Sequence, residues 1–266
     1  MRKLIFFDID GTVITDDGLK RIVPDSTLHT LRSLHENGHL CFINTGRSLA
    51  ELDKLIRSLP FDGYVCGCGT YISYQGRELF SHTIPAAMGN EILELLPACH
   101  LEWVLEGTEN IYYSSKPYQT RIGEFKKEHL VLLPDTISIV PPEKAKNLSF
   151  DKFCICLGKK HKFDTFYAAL KDRLTFIDRG SGFYEIVPAG FSKASGIAYL
   201  ESYFQIPHED TIAVGDSTND LPMLDYAAYS IAMGNSDKEL FSVVDYITDS
   251  VTDDGICRAM KHLKLI

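Results

Sequence analysis

Short apolar runs alternate with helix-like repeats over the first 66 residues of the chain. Residues 4–7 form an apolar run typical of a buried strand, and leucines then recur at helical spacing over 28–34. A second apolar run at 41–43 is followed by leucine and isoleucine residues at helical spacing over 49–59, which predict another helix. Because strands that alternate with helices form parallel sheets, this part of the chain predicts an α/β core.

The pattern changes after this region and returns near the end of the chain. A hairpin is predicted over 71–79, with its turn at Gln75-Gly76. Residues 82–187 mix helices with strands, whereas strand–helix alternation resumes after Pro188. The sequence therefore predicts a catalytic core made of two stretches and an inserted α+β cap domain, with core residues 1–81 and 188–266 and cap residues 82–187.

Composition and charge narrow the classes of protein that fit. With 266 residues, of which 45% are hydrophobic, the chain can fill one large core or two smaller ones. No apolar run approaches the ~20 residues that span a bilayer, and the N-terminal residues do not resemble a signal peptide, so we expect a cytoplasmic protein. The formal net charge of −9 argues against nucleic acid as a partner.

Two carboxylates follow directly after the first predicted strand. Asp8 and Asp10 project to the same side of an extended chain, at the strand end where open α/β folds place their chemistry. Two acids in so small a volume repel each other unless a cation neutralises them. This pattern predicts a divalent metal site, and the alternative is a polar strand end with two solvated aspartates. The nearby acidic run Asp16-Asp17 is interpreted as a solvated loop.

A hydroxyl and a lysine occupy comparable positions further along the chain. Thr45 and Gly46 follow the apolar run at 41–43, and a hydroxyl with free backbone amides at a strand end suits a phosphate oxygen. Lys193 stands at the predicted start of a helix, where it offers a point charge to an anion. Taken singly, these residues also fit an ordinary loop and a solvated surface lysine.

A second acidic group follows the apolar run at 211–214. Gly215 ends this predicted strand, and Asp216, Asn219 and Asp220 lie within one helical turn of each other. The pattern predicts a second set of polar groups at the same sheet edge. The alternative is a helix N-cap at Asp216 with favourable first-turn residues behind it.

Together these segments resemble the haloacid-dehalogenase-like (HAD) superfamily, and specifically its Cof-type branch of Mg-dependent sugar-phosphate phosphatases. The resemblance rests on the DxDGT pattern at 8–12 and the GDxxND pattern at 215–220, with weaker support from 184–188 and 232–235, and it spans nearly the whole chain. It implies a Rossmann-like doubly wound parallel sheet with an inserted α+β cap. Residues 67–70 read Gly-Cys-Gly-Thr where relatives often carry Asn-Gly, so any role of that asparagine near the substrate is left open.

The resemblance also implies a chemical role for each motif residue. Asp8 is expected to attack phosphorus and form an aspartyl-phosphate, and Asp10 to serve as general acid and base. Mg²⁺ is expected between Asp8, the backbone carbonyl of Asp10 and Asp216. Residues expected to hold the phosphoryl group or substrate are Thr45, Gly46, Arg47, Lys193 and Asn219. Residues expected to support these from behind are Thr12 and Asp220. Arg47 alternatively pairs with an acid at the cap boundary, and Asn219 alternatively orients ligands alongside Asp220.

The implied activity is hydrolysis of small phosphorylated metabolites, with hexose phosphates as the default substrate. The alternatives are a phosphomutase, a phosphatase acting on a cofactor phosphate such as pyridoxal phosphate or flavin mononucleotide, and, more distantly, a receiver-like phospho-acceptor. The expected partner is a small phosphorylated metabolite, with no nucleic acid and no membrane. The sequence does not indicate the oligomeric state or the cap residues that contact the substrate.

Seven cysteines, an odd number, favour reduced thiols over a disulfide framework. Cys66 and Cys68, and likewise Cys154 and Cys156, are spaced by one residue, unlike the usual CxxC of zinc sites. Because alternate residues of a strand share a face, we interpret them as core cysteines, with a metal site as the alternative.

Overall fold

The structure, a computed structural model, describes residues 1–15, 20–141 and 144–266. These residues form two compact units. The first comprises 1–46, 55–80 and 192–266, and the second comprises 47–54 and 81–191. The acidic run Asp16-Asp17 lies outside the described residues.

Both units combine strands with helices. The strands of the described residues are β1 (Leu4–Phe7), β2 (Leu40–Asn44), β3 (Gly63–Cys66), β4 (Tyr71–Tyr74), β5 (Arg77–Ser81), β6 (Leu101–Glu106), β7 (Ile111–Ser114), β8 (Ile137–Val140), β9 (Lys152–Leu157), β10 (Leu174–Asp178), β11 (Phe183–Pro188), β12 (Thr211–Gly215), β13 (Tyr229–Ala232) and β14 (Tyr246–Ile247). The α-helices are α1 (Asp25–Glu36), α2 (Lys54–Arg57), α3 (Ala86–Ala98), α4 (Ile122–Leu132), α5 (Phe163–Leu170), α6 (Lys193–Phe204), α7 (Leu221–Tyr226) and α8 (Gly255–His262).

The first unit is built on an eight-stranded sheet in the order β14-β13-β12-β1-β2-β3-β4-β5. The six strands from β14 to β3 are parallel, and Ile5 of β1 lies opposite Ile212 of β12 and Cys41 of β2. Strands that follow β1 in the chain add on one side of it, and those that follow the insertion add on the other. The carboxyl end of β1 therefore adjoins a topological switch point, the usual ligand position in such sheets.

Burial explains the apolar runs seen in the sequence. All four residues of β1 are fully buried, as are the β2 residues Cys41, Phe42 and Ile43, because both faces of a parallel sheet are covered. The predicted α/β architecture is confirmed. The predicted hairpin is confirmed as well, since β4 and β5 are neighbours joined at Gln75 and Gly76, which both have positive φ.

The second unit is built on a six-stranded sheet in the order β10-β11-β9-β6-β7-β8. Its strand pairs are antiparallel except for the parallel pair β7–β8. One face packs apolar side chains against α3 and α5, and the other face packs Ile122 of α4 against Val104, Cys154 and Cys156. This is the α+β composition that the sequence predicts for 82–187.

The stretch 49–59 does not form the single helix that the spacing of its leucines predicts. A 3-10 turn at Leu49–Glu51 and the one-turn α2 take its place. The chain leaves the second unit at this point, because residues 47–54 belong to the second unit and 55–80 to the first. Hydrogen bonds hold Ala50 within the second unit, because its N–H donates to Gly107 O at 3.3 Å and its carbonyl accepts from Thr136 Oγ1 at 3.2 Å.

The cysteines lie mainly in the cores. Cys66, Cys68, Cys154 and Cys156 are buried, as is Cys41, and the described cysteines form no disulfide with one another. Within the described ranges, no helix is both long enough and apolar enough to cross a membrane.

Candidate active site

The loop after β1 brings the first acidic motif into a tight turn. Ile9 O accepts hydrogen bonds from the N–H groups of Val13 and Ile14, at 2.9 and 3.0 Å, and Gly11 N–H donates to Ile14 O at 2.8 Å. Gly11 has a φ of +80°, and a Cβ atom there would lie 2.3 Å from Asp216 Oδ2. Only glycine fits a position that combines this backbone conformation with so close an approach.

Three carboxylates meet at the carboxyl ends of β1 and β12. Asp8, Asp216 and Asp220 each offer an oxygen atom, and these atoms lie within 4.8 Å of one another. Thr12 Oγ1 donates to Asp216 Oδ1 at 2.9 Å, which orients that carboxylate. Oxygen donors of this kind suit a hard divalent cation such as Mg²⁺.

Lys193 lies among these carboxylates and is 1% exposed. Its Nζ atom is 2.6 Å from Asp8 Oδ1 and 2.5 Å from Asp220 Oδ1. Helix α6 begins at this residue, with Ser192 as its N-cap, and Asn44 Nδ2 donates to Lys193 O at 2.9 Å. The sequence alternative of a solvated surface lysine is therefore wrong.

Asp220 has hydrogen bonds at both carboxylate oxygens. Oδ1 accepts a hydrogen bond from Lys193 Nζ, and Oδ2 accepts from the N–H groups of Asp216 and Ser217 at 2.9 and 3.0 Å. A Cβ atom on Gly215 would lie 2.6 Å from Asp220 Oδ2, so the close packing of this loop depends on the glycine. Asp220 thereby holds the loop and the lysine in place, which leaves Asp8 and Asp216 as the better oxygen donors for a cation.

The charges of this site do not balance. Burial, followed by the charge of Asp220, raises the pKa of Asp8 to about 7. Burial, followed by the charge of Asp8, raises the pKa of Asp216 to about 8. Burial opposes the charge on Lys193, but Asp220 and Asp8 outweigh it and raise the pKa of its ammonium group. One lysine thus faces three acids, and a divalent cation would relieve the remaining repulsion.

Thr45 is buried at the end of β2, beside β3. Its N–H donates to Val65 O at 2.9 Å, and its carbonyl accepts from Cys68 N–H at 3.1 Å. Cys68 has a φ of 54°, a left-handed conformation that asparagine tolerates better than most residues. Gly46, next in the chain, is half-buried. The residue that replaces the expected asparagine therefore supports the Thr45 backbone through its own backbone.

The chain is similar in sequence to known proteins along nearly its whole length. The sequence profile of the haloacid dehalogenase-like hydrolases matches residues 5–260. The chain belongs to this family. YkrA of Bacillus subtilis strain 168 is 29% identical over 272 residues, covering 99% of this chain and 98% of that protein. The 5-amino-6-(5-phospho-D-ribitylamino)uracil phosphatase YitU of the same organism is 25% identical, covering 97% and 96%.

Solved structures of HAD-like proteins agree with this assignment. The structure of BT4131, a sugar phosphatase of HAD subclass IIB, is similar with a TM-score of 0.82 and 26% identity, covering 99% of this chain and 100% of that one. The comparisons confirm the predicted Cof-type HAD membership, the Rossmann-like core with an inserted α+β cap, and the enzyme class, an HAD-like phosphatase.

Three other residues proposed from the sequence are half-buried. Asn219 is half-buried, and its Oδ1 accepts a hydrogen bond from the Ser217 hydroxyl within the same turn. Arg47 is half-buried and belongs to the second unit, unlike its neighbour Gly46. Asp10 is half-buried within the turn at Gly11.

Two asparagines that the sequence analysis did not single out tie the site together. Asn235 Nδ2 donates to Gly11 O at 2.8 Å, and its Oδ1 accepts from Val251 N–H at 2.8 Å. Asn44 is fully buried and holds the start of α6 by its contact with Lys193 O. Asn235 ends the 232–235 segment that carries part of the family resemblance, so a signal was present there, but its partner Gly11 lies 224 residues away.

Proposed function

We propose that this HAD-like phosphatase hydrolyses small phosphate monoesters, with sugar phosphates as its main substrates, in a Mg²⁺-dependent reaction through an aspartyl-phosphate on Asp8. The observation that carries the proposal is the grouping of Asp8, Lys193 and Asp216 at one edge of the parallel sheet. A nucleophilic carboxylate, a fixed positive charge and a second carboxylate are what phosphoryl transfer to an aspartate requires.

Asp8 would attack phosphorus, and Lys193 would hold its carboxylate in place while offering positive charge to the phosphoryl oxygens. Asp8, Asp216 and the backbone carbonyl of Asp10 would hold Mg²⁺, whose charge offsets that of the phosphoryl group. Asp220 would orient Lys193, and Thr12 would orient Asp216, through the hydrogen bonds described above.

Asp10 would protonate the alkoxide that leaves and later accept a proton from the water that hydrolyses the aspartyl-phosphate. Its half-exposed position two residues after the nucleophile is consistent with a side chain that turns toward the substrate. The hydroxyl of Thr45 and the N–H of Gly46 would bind the remaining phosphoryl oxygens. Arg47 and Asn219 are proposed to contact the substrate.

The substrate class rests on relatives as well as on chemistry. BT4131 is named a sugar phosphatase and YitU acts on a ribitylamino phosphate, and both leaving groups are rich in hydroxyls. Family membership favours hydrolysis over a receiver-like phospho-acceptor role. A phosphomutase, or a phosphatase for a cofactor phosphate, stays the alternative, and comparing free phosphate with isomerised product separates the mutase from the hydrolase.

The inserted domain is proposed to recognise the organic part of the ester. All residues proposed for catalysis and metal binding lie outside 82–187, so this insertion supplies neither nucleophile nor metal ligand. The segment 47–54 belongs to the same compact unit as the insertion, and it begins directly after Gly46. We therefore extend the proposed cap by this segment.

The test is a screen of purified protein against phosphorylated metabolites, with release of inorganic phosphate as the signal. Hexose and pentose monophosphates, pyridoxal phosphate and flavin mononucleotide should be included, each with Mg²⁺ and with chelator. Hydrolysis of sugar phosphates in Mg²⁺ alone supports the proposal. No phosphate release from any ester, including an activated aryl phosphate, would overturn it.

A further inference from the structure

A cavity of about 230 Å³ opens in the second unit, and the described residues that line it all belong to that unit. Its apolar wall includes Leu93 of α3, Leu101 and Trp103 of β6, and Ala145, each of which is at most 9% exposed. An apolar cavity of ~150 Å³ is enough to hold benzene, so this one accommodates an aromatic ring with a short side chain. We call it the Trp103 cavity.

The loop that follows β7 supplies a polar wall and is held firmly in place. Ser114, Lys116 and Tyr118 all line the Trp103 cavity. The Tyr118 hydroxyl donates to Trp103 O at 2.9 Å and accepts from Ser114 N–H at 2.6 Å. Because these hydrogen bonds tie the loop to the neighbouring strand, the cavity is formed before any ligand binds, which lowers the cost of binding.

Three hydrogen-bond donors of this wall are unused. Ser114 Oγ accepts from Lys116 N–H at 3.1 Å, but the Ser114 hydroxyl hydrogen has no acceptor among the described residues. In the same part of the chain, the indole N–H of Trp103 and the ammonium group of Lys116 have no acceptor either. Ser114 and Trp103 are each only 6% exposed. Buried donors without acceptors are costly, so a ligand that brings an acceptor would recover free energy.

The carboxylate that lines the Trp103 cavity is already engaged. Glu102 Oε1 accepts from Gln119 N–H at 2.7 Å, and Oε2 accepts from the N–H and hydroxyl of Thr120, at 3.0 and 2.6 Å. These three hydrogen bonds stabilise the charge of Glu102 and direct its oxygens to the loop. The carboxylate is therefore a structural anchor of the loop, and it does not provide a site for a cationic ligand.

The charges around the polar wall leave a single positive charge. Lys126 Nζ donates to Ser114 O at 3.0 Å and lies 5.4 Å from the centroid of the Tyr118 ring. Lys116 and Lys126 together carry two positive charges, and Glu102 carries one negative charge. A ligand with one negative charge balances this set, whereas a dianion such as a phosphate monoester would meet the carboxylate with excess charge.

The apolar wall of the Trp103 cavity lies on the sheet face opposite the segment 47–54. Leu101 and Trp103 share one apolar cluster with α3, whereas Val104 belongs to the cluster on the other face, together with Ala50 of that segment. In addition, none of the residues proposed for catalysis, metal binding or substrate contact lines the cavity. The cavity therefore suits a ligand other than the phosphate ester that is hydrolysed.

We propose that the Trp103 cavity is a second ligand site, which binds a small organic monocarboxylate with an aromatic or branched apolar body. The apolar body packs against Leu93, Leu101 and Trp103, and the carboxylate accepts hydrogen bonds from Lys116, Ser114 and the Trp103 indole. This site goes beyond the proposed phosphatase activity and requires neither Mg²⁺ nor a phosphoryl group.

Trp103 is the only tryptophan of the chain, so its fluorescence reports on this cavity directly. Titration of wild-type protein with 3-phenylpropionate should change the tryptophan fluorescence saturably, with a Kd of about 1 mM or tighter. 3-Phenylpropanol, which keeps the apolar body without the charge, should bind at least about tenfold more weakly. Acetate, which lacks the apolar body, should give no saturable change.

Two variants test the two halves of the site. Lys116→Met removes the charge but keeps an apolar stem, and it should weaken binding of 3-phenylpropionate by about tenfold. Ala145→Leu should weaken binding because the added atoms occupy the cavity. The matched control is Lys127→Met, an exposed lysine that does not line the cavity, and it should leave the Kd unchanged. Thermal unfolding checks that each variant is folded, and a ligand-induced rise in the Tm of wild-type protein measures binding independently.

Competition separates this site from the phosphatase site. Neither Mg²⁺ nor inorganic phosphate should change the Kd for 3-phenylpropionate, and glucose 6-phosphate in the presence of chelator should not displace it. Displacement by glucose 6-phosphate, equal Kd values for the acid and the alcohol, an unchanged Kd in Lys116→Met, or the absence of both a saturable fluorescence change and a rise in Tm would overturn the inference. A protein that binds 3-phenylpropionate as described but hydrolyses no phosphate ester would support this site and contradict the proposed function.

Discussion

Lys193 Nζ lies 2.6 Å from Asp8 Oδ1, although 185 residues separate the two in the sequence. The contact is buried, and Asp220 holds the lysine from its other side. Such a pair costs free energy to desolvate, so its presence at the carboxyl edge of the sheet indicates a functional constraint. The contact also fixes Oδ1 as the oxygen of Asp8 that faces the lysine, so that Oδ2 would be the attacking atom in the proposed mechanism.

Asp8→Asn should abolish turnover and leave the fold intact, because an amide is a poor nucleophile and a weak metal ligand. Steady-state phosphate release is the measurement, with circular dichroism as the control for folding. Retention of more than about a hundredth of the wild-type rate would show that Asp8 is not the attacking group.

Asp10→Asn should retain metal binding, since the proposed ligand is a backbone carbonyl, yet slow the release of alkoxide leaving groups by ~10²–10⁴. Formation of the phospho-enzyme from p-nitrophenyl phosphate should suffer less, because this leaving group needs less protonation. Single-turnover kinetics with both esters makes the comparison. Equal losses in that step would remove Asp10 from the role of acid.

Removal of metal should stop activity reversibly. Chelation should abolish phosphate release and Mg²⁺ should restore it, whereas Ca²⁺ should restore it poorly because its larger and looser shell misplaces the attacking carboxylate. Mg²⁺ should also raise the Tm of wild-type protein, since it binds only the folded carboxylate group. Full activity in rigorously metal-free buffer would contradict the proposed chemistry.

Gly11→Ala should reduce activity strongly and also lower stability, because its Cβ would lie 2.3 Å from Asp216 Oδ2. The matched control is Gly76→Ala, which has a similar positive φ of +74° but nothing within 4 Å of its Cβ position. Both variants carry backbone strain of roughly 1 kcal/mol, so their difference isolates the clash. The test is a measurement of kcat and Tm for both variants. Equal kcat values would show that Asp216 can be displaced without loss of activity.

Glu106→Gln should change how stability depends on pH. The pKa of Glu106 is about 8 in the folded protein, against an ordinary value of 4.5. A raised pKa means that the protonated group favours folding below about pH 4.5, and that this contribution is lost as the pH rises through about 8. Glutamine does not ionise, so the Tm of Glu106→Gln relative to wild type should be higher at pH 9 than at pH 5.

Glu91→Gln serves as the control for that pH series. Its hydrogen bond to Arg173 lowers the pKa of Glu91, so its stabilising contribution is present above its ordinary pKa and is lost on acidification. This variant should therefore show no gain in Tm at pH 9. A Glu106→Gln curve that runs parallel to wild type at all pH values would show that Glu106 ionises normally.

The local pattern of apolar and polar residues was sufficient to predict much of the architecture. Buried parallel strands are continuous apolar runs, so β1, β2 and β12 are visible in the sequence, and polar residues that follow them fall at one sheet edge whatever the details of packing. This is why Asp8, Thr45 and Asp216 could be proposed together. The turn at Gln75-Gly76 was equally predictable, because glycine readily adopts positive φ, although Gln75 adopts it as well.

Only the tertiary structure decided contacts between distant segments. The hydrogen bonds of Asp220 to backbone N–H groups, of Asn44 to Lys193 and of Asn235 to Gly11 depend on how strands and loops pack, which periodicity does not encode. Leucine spacing likewise predicted one helix at 49–59, whereas tertiary packing divides that stretch between two cores and overrides the local preference.

A buried cluster of charged side chains in the second sheet shows the same limit most clearly. Glu106, Lys152 and Glu185 are spread over 80 residues of sequence, and each alone reads as an ordinary charged residue at or near a strand end. Strand order and register in the second sheet bring them within ion-pair distance, and burial changes their protonation. The sequence by itself determined which chemistry the parallel sheet could support, because short-range spacing sets strand ends. The tertiary structure decided which charges meet, because strand pairing is a long-range choice.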